Sequence, residues 1–297
     1  IVAWAGAEIK ARYLRPLYSS QECWCQLFSE PGAGSDVANL STKAVRDGDG
    51  WVLNGQKVWS SNAHIAPWGF AICRTDVDVP KHAGMTAFLV PLQHPGVVVR
   101  PIQQMNGGAS FNEVFFSDAV LPDEYRVGAV GEGWKVALTV LGHERNSSGG
   151  SGRRGGDFVD LLGLATAMDR RDHPVIRQGL ARVYSRQRVR DWARSRAAAA
   201  VRLGGSAGPE GSIGKLLWTE AMQEISSVAS SMLGPALLAD TGEWGTFGWN
   251  DHVLGAPGYR IAGGSDEIQR NIIGERVLGL PGEPRVDRDV PFKDAPR

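Results

Sequence analysis

Eleven consecutive residues, Gln26-Leu27-Phe28-Ser29-Glu30-Pro31-Gly32-Ala33-Gly34-Ser35-Asp36, concentrate groups that can cradle an anion. The small residues let backbone N–H groups approach a ligand closely, Pro31 fixes a turn, and Ser29 and Ser35 add hydroxyl donors. That combination suits a pyrophosphate and the edge of a flat cofactor. A bare Gly-x-Gly would read as a strand-to-turn connection, because glycines first serve turn geometry. It is the whole string that shifts the reading toward a ligand. Ser265-Asp266-Glu267 makes a good helix N-terminus, whose positive dipole end suits a phosphate or a polarised carbonyl; a simple N-cap accounts for Ser265 equally well.

Glu144 is a carboxylate placed where it could do chemistry. Val136, Val140 and Glu144 fall at i, i+4 and i+8 and so share one otherwise apolar helix face. A carboxylate on a buried stripe is costly unless it is paired or used. The competing reading is a surface ion pair with Arg145 or Arg153, which would be energetically slight. His143 and His64 have no partner pattern and read as structural or exposed.

The elements that must position these groups change in texture along the chain. Residues 3–14 read as a short helix ending near Pro16, within a segment 1–22 that resembles the tail of something larger. Short β-branched and aromatic runs follow at 43–46, 51–53, 56–59, 70–74, 86–91, 97–100 and 113–116, which predicts an antiparallel barrel or sandwich over 23–130. Asn54-Gly55 between two of these runs predicts a type I′ hairpin. From 131 to 297 the period becomes helical, with helices at 133–145, 158–168, 174–202, 209–232 and 265–280, as in an antiparallel bundle. Residues 147–156 are Gly/Ser/Arg-rich and read as flexible, and 241–258 reads as an ordered loop. The fold class is therefore α+β multidomain, with the barrel or sandwich followed by the bundle.

Lys plus Arg and Asp plus Glu both number 32, so no charge surplus points to nucleic acid. No apolar run approaches the roughly 20 residues of a membrane span. Cys23, Cys25 and Cys73 make neither a disulfide framework nor a zinc ligand set, and read as buried or inert thiols in a reducing cytoplasm; no metal is expected. The chain opens on Ile1, which reads as a fragment.

The glycine-rich string and Trp51-Val52-Leu53-Asn54-Gly55-Gln56-Lys57-Val58-Trp59-Ser60-Ser61-Asn62 together resemble the flavin-binding segment of the acyl-CoA dehydrogenase family. The resemblance continues through Phe88-Leu89-Val90-Pro91, Pro95-Gly96-Val97, Gly131-Glu132-Gly133-Trp134 and Gly263-Gly264-Ser265-Asp266-Glu267-Ile268-Gln269-Arg270-Asn271-Ile272-Ile273-Gly274-Glu275-Arg276. It implies FAD between barrel and bundle, a fatty acyl-CoA stacked on the flavin, electron-transfer flavoprotein as acceptor, a homo- or hetero-oligomer, and a further helical domain before residue 1. Carried over by position, Phe28, Ser29, Ser35, Trp59, Ser60 and Ser61 would meet the flavin from the barrel, and Ser265, Asp266 and Glu267 from the bundle. Ser35, Arg145, Gly263 and Gly264 would contact the substrate.

The family's reaction takes the α-proton with a carboxylate while the β-hydrogen leaves as hydride to flavin N5. Many members carry that carboxylate at the position of Gly263, where this chain has none. Isovaleryl-CoA and long-chain acyl-CoA dehydrogenases place it in a Glu-Arg pair that matches Glu144-Arg145. The Gly263 backbone N–H could still bind the thioester carbonyl, a task that needs no side chain. Two family motifs are replaced: Arg-x-x-Phe-Gly by the sequence at 170–178, and Gln-x-x-Gly-Gly-x-Gly by Met232-Leu233-Gly234-Pro235-Ala236-Leu237. Both losses touch the cross-subunit part of the flavin site. Three functions follow from the resemblance: an acyl-CoA dehydrogenase, a non-catalytic partner subunit of a mixed oligomer, and a flavin monooxygenase on the same scaffold.

Overall fold

Strand β3 (Gly50–Lys57) buries Trp51, Leu53 and Lys57 on one face, and the rest of the amino-terminal unit is built outward from it. The computed structural model describes residues 1–147, 156–203, 208–239, 241–243 and 246–295, with backbone alone at 145–147 and 246–247. The other strands are β1 (Cys25–Leu27), β2 (Lys43–Asp47), β4 (Trp68–Arg74), β5 (Met85–Pro91), β6 (Val97–Ile102), β7 (Phe111–Pro122) and β8 (Arg126–Val127). They pair in the order β6-β7-β3-β2-β4-β5-β8, with β1 added alongside β4. Most pairings are antiparallel, as the alternating runs predict, but β1 with β4 and the single contact of Lys43 with Arg74 are parallel. Apolar side chains from both halves, among them Leu27, Leu53, Phe88, Val90, Val114 and Leu121, fill one core. Each such side chain contributes about 1.5–3 kcal/mol by leaving water.

The hairpin expected at Asn54-Gly55 is absent. The two-residue turn instead joins β2 to β3, where Asp47 pairs with Gly50 and Gly48 takes a φ of +54°. At Asn54-Gly55 the ladder between β3 and β7 shifts register, forming a bulge. Asn54 Nδ2 donates to Asp118 Oδ1, and the Asp118 amide donates to Asn54 Oδ1, each at 2.9 Å. Gly55 has a φ of +148°, and a Cβ there would lie 2.6 Å from Thr42 Oγ1. A positive φ serves a bulge as well as a turn, and the partner strand decides which one forms.

Helix α1 (Ala7–Tyr18) begins and ends later than 3–14, and carries Pro16 inside it. Tyr13 anchors α1, its ring 5.1 Å from both Trp24 and Trp68. Helix α2 (Gly133–Ser147) starts hard against β5: a Cβ at Gly133 would lie 2.7 Å from the Met85 carbonyl carbon and the Thr86 nitrogen. Val136 and Ala137 are buried on it. The chain forms two compact units, Ile1–Val140 with Pro284–Arg297, and Leu141–Glu283. The division falls inside α2, and the last residues belong to the strand-rich unit.

The second unit contains α3 (Phe158–Ala167), α4 (Pro174–Arg202), α5 (Gly211–Leu233), α6 (Thr246–Tyr259) and α7 (Asp266–Ile272), the last running into one π turn at Ile273–Val277. Arg182 pairs with Glu224 at 2.7 Å and Arg186 with Glu220 at 2.6 Å. Steps of four in opposite directions fix α4 and α5 as antiparallel. Leu161, Leu180, Val183, Met222, Ile225 and Trp249 form the core. The loop expected over 241–258 is corrected by α6: Trp249, His252 and Ala256 are buried at helical spacing, a stripe masked in sequence by three glycines and Pro257. The expectation of flexibility at 147–156 falls almost wholly on 148–155, outside the described residues. No helix among the described residues is long and apolar enough to cross a membrane.

Candidate functional site

In the strand-rich unit the glycine-rich string leaves β1 and is fixed by a buried ion pair. Glu30 accepts hydrogen bonds from the Ser41 amide (2.7 Å), Ser41 Oγ (3.0 Å), the Thr42 amide (3.0 Å) and Lys57 Nζ (2.8 Å). Lys57, with no exposed surface, donates its other protons to the carbonyls of Phe28 (3.1 Å) and Ile72 (2.7 Å). All three ammonium protons are therefore used, as burial of a charge demands. Burial works to raise the Glu30 pKa, but Lys57 and the hydrogen bonds from Thr42 and the Ser41 amide hold it below its ordinary value. Sequence reasoning assigned neither residue a role, although each sits inside one of the two motif strings.

Glu30 and Ala33 exchange backbone hydrogen bonds of 3.0 Å across the turn. Gly32 inside that turn and Gly34 just beyond it face open space, since a Cβ at either would meet nothing within 4 Å. Ser29 is half-buried, while Ser35 and Asp36 are exposed. The Phe28 side chain is buried 6.3 Å from the Phe70 ring, so only its backbone is available to a ligand. Trp59 is the opposite case, an exposed indole at a φ of +59° set edge-on to Phe111. Asn62 also has a positive φ, and its amide donates to the Ser110 carbonyl at 2.8 Å. Such backbone strain costs about 1–3 kcal/mol per residue and persists only where surrounding bonds enforce it. Here the Ser60 amide and the Asn112 side chain supply them, donating to the Asn112 carbonyl (3.0 Å) and the Ser60 carbonyl (2.9 Å). Ser60 Oγ and Asn112 Oδ1 stay buried without a hydrogen-bond partner among the described residues. Ser61, next in sequence, is exposed. Open glycines, exposed hydroxyls, a presented indole and orphaned buried oxygens suit a flat, polar-edged ligand, and so fit a flavin nucleotide.

In the helical unit Glu144 is half-buried on α2, and a Cβ built on Gly263 would lie 3.6 Å from its Oε1. Gly263 and Gly264 take φ values of +65° and +83°, a turn that side chains rarely adopt. Buried Gln269 fixes that turn by donating from Nε2 to both glycine carbonyls at 3.1 Å. This residue carried no sequence signal beyond its place in the motif. Ser265 caps α7, its Oγ accepting from the Ile268 amide at 3.4 Å. Glu267 is exposed on the first turn, its pKa lowered by its own backbone amide and by Ser265.

Asp266 points inward. Its carboxylate accepts from Arg260 Nε (2.8 Å), Thr219 Oγ1 (2.8 Å) and Lys215 Nζ (3.4 Å), and is 1% exposed. Burial works to raise its pKa, and those three partners hold it below the usual carboxylate range. The residue is thus committed to joining the 260–266 turn to α5, not to reaching a cofactor. The Arg145 side chain lies outside the described residues.

Residues 25–119 match the model for the acyl-CoA dehydrogenase middle domain, and 131–278 the model for the acyl-CoA dehydrogenase C-terminal domain. The chain is similar to acyl-CoA dehydrogenase IpdE1 of Mycobacterium tuberculosis, 40% identical over 95% of this chain and 73% of that protein. Among solved structures it is similar to the ChsE4-ChsE5 complex from Mycobacterium tuberculosis, with a TM-score of 0.82 and 28% identity over 95% of this chain and 75% of that one. It is also similar to PigA with FAD and proline, with a TM-score of 0.81 and 25% identity over 94% and 73% of the two chains.

Proposed function

Because this chain belongs to the acyl-CoA dehydrogenase family, we propose that it oxidises the Cα–Cβ bond of an acyl-CoA thioester with Glu144 as the base and FAD as the cofactor. The observation that carries this reading is the 3.6 Å between Glu144 Oε1 and the Cβ position of Gly263. The helix that supplies a carboxylate and the turn that lacks one address a single point. Glu144 takes the α-proton there, and the Gly263 N–H holds the thioester carbonyl whose oxygen gains charge as that proton leaves. FAD, when bound, supplies the acceptor for the β-hydride. Ser29, Ser35, Trp59 and Ser61 present donors and an aromatic surface to it, and Lys57 with Glu30 keeps that loop in place. Ser265 and Glu267 on α7 are candidate cofactor contacts by family position, and electron-transfer flavoprotein would be the electron acceptor. Similarity to PigA, whose structure holds FAD, supports the cofactor.

Assembly with a second, different chain is supported by Met232-Leu233-Gly234-Pro235-Ala236-Leu237, where α5 ends in a 3₁₀ turn, Gly234–Leu238, in place of the family's glycine-rich stretch. The ChsE4-ChsE5 structure is such a complex. Anaerobic mixing with a panel of acyl-CoAs, followed by flavin absorbance, tests the reaction. Bleaching in the wild type but not in Glu144→Gln is expected. Equal bleaching in both would sink the base assignment, and purified protein without flavin would favour a non-catalytic partner subunit.

A further inference from the structure

Residues past 278 lie outside both family-model matches, yet the last of them close back onto the strand-rich unit. Pro291 bridges to Pro80, the Phe292 amide donates to the Val79 carbonyl at 2.9 Å, and the Lys293 amide donates to the Val77 carbonyl at 3.1 Å. Lys293 Nζ also pairs with Asp78 at 2.7 Å. These bonds fix the register of the segment on a single loop, 77–80.

Two cations flank that loop, Arg74 at the end of β4 and Lys81, and each is shared between the carboxy-terminal segment and residues 36–40, where the glycine-rich string ends and the next turn begins. Lys81, mostly buried, donates to Asp36 Oδ2 at 2.7 Å and to Asp287 Oδ2 at 2.6 Å. Arg74, 2% exposed, donates from Nη2 to the carbonyls of Ala38 (2.6 Å) and Leu40 (3.2 Å), and its guanidinium sits 3.9 Å over the ring of buried Phe292. Arg74 Nη1 donates to the Lys81 carbonyl at 2.6 Å, which joins the two links. A buried guanidinium or ammonium keeps one geometry only while its partners are satisfied, so the orientation of each cation depends on the carboxy-terminal segment.

We infer that residues 284–295 form a positioning strap for the loop bearing Ser35 and Asp36, acting through Asp287 on Lys81 and through Phe292 on Arg74, and so set the affinity of that loop for its ligand. The inference rests on the reading of Ser35 as part of the acyl-CoA and flavin site. Asp287 and Phe292 are positioning residues and touch no reacting atom.

Hydrogen–deuterium exchange of the FAD-loaded full chain tests it. Asp287→Asn and Phe292→Ala should each speed exchange over residues 34–40 while leaving α4 and α5 at wild-type rates, and Asp287→Glu should restore slow exchange. In steady-state assays KM for acyl-CoA should rise about tenfold with a smaller fall in kcat, the pattern of lost ground-state positioning. Wild-type exchange over 34–40 in both variants would overturn the strap. A wild type that acyl-CoA does not bleach would overturn the proposed reaction, and the exchange measurement would still decide the strap.

Discussion

Glu144 Oε1 and the Cβ position of Gly263 lie 3.6 Å apart, although one belongs to a regular helix and the other to a left-handed turn. The separation is ordinary van der Waals contact, so a side chain at 263 would start beside the Glu144 carboxylate. If Glu144 is the base, as proposed, either element could supply it to that region.

Exchanging the two should move the base. Glu144→Gln should lower flavin reduction by about a hundredfold to ten-thousandfold, the usual worth of a positioned base. Adding Gly263→Glu to a Glu144→Gly background should recover part of that loss. The recovery is limited by a left-handed backbone that costs a side chain about 1–2 kcal/mol. A double variant no faster than Glu144→Gly would show that the two positions do not converge.

Gln269→Leu removes both hydrogen bonds to the Gly263 and Gly264 carbonyls, each worth about 0.5–1.5 kcal/mol. The turn should loosen, with kcat falling more than the melting temperature of the protein would suggest. A Leu variant of lowered stability and wild-type kcat would make Gln269 purely structural.

The Glu30–Lys57 pair should show in the pH dependence of stability. The folded Glu30 pKa lies below the unfolded value of about 4.3, so its contribution is complete above that pH and is lost as pH falls through the folded value. Lys57→Met strands a buried carboxylate and should destabilise by about 3–5 kcal/mol near neutrality. The gap in melting temperature between the variant and the wild type should narrow as pH falls, starting above the ordinary Glu value, because burial without Lys57 raises the pKa of the stranded carboxylate. A gap that stays constant with pH would exclude the pair as its cause.

Thiol labelling should separate the three cysteines. Burial pushes the thiols of Cys25 and Cys73 up to about 12, whereas Cys23 is exposed. The native protein should take up one equivalent of an alkylating reagent at pH 8 and the denatured protein three, because only the thiolate reacts. Two or more thiols reacting at the same rate in the native state would contradict this packing.

Periodicity and local chemistry made much of this protein legible in one dimension. Pro174 at the start and a continuous helical run set α4 at Pro174–Arg202, the bounds read from sequence. The two motif strings announced the family, and the apolar face holding Val136 and Val140 singled out Glu144. Those signals come from spacing and residue type, which act within a few residues.

Tertiary contact decided the rest. Asn54-Gly55 became a bulge because Asp118 on β7 bonds across it. Asp266 turned inward because Lys215 and Thr219 face it from α5, and 246–259 became a helix because Trp249 and Ala256 found a buried face. The sequence determined which residue types stand at these places and which local conformations each of them tolerates. Which of those conformations is occupied depends on partners remote in the chain, since hydrogen bonds and burial are gained only when those partners arrive.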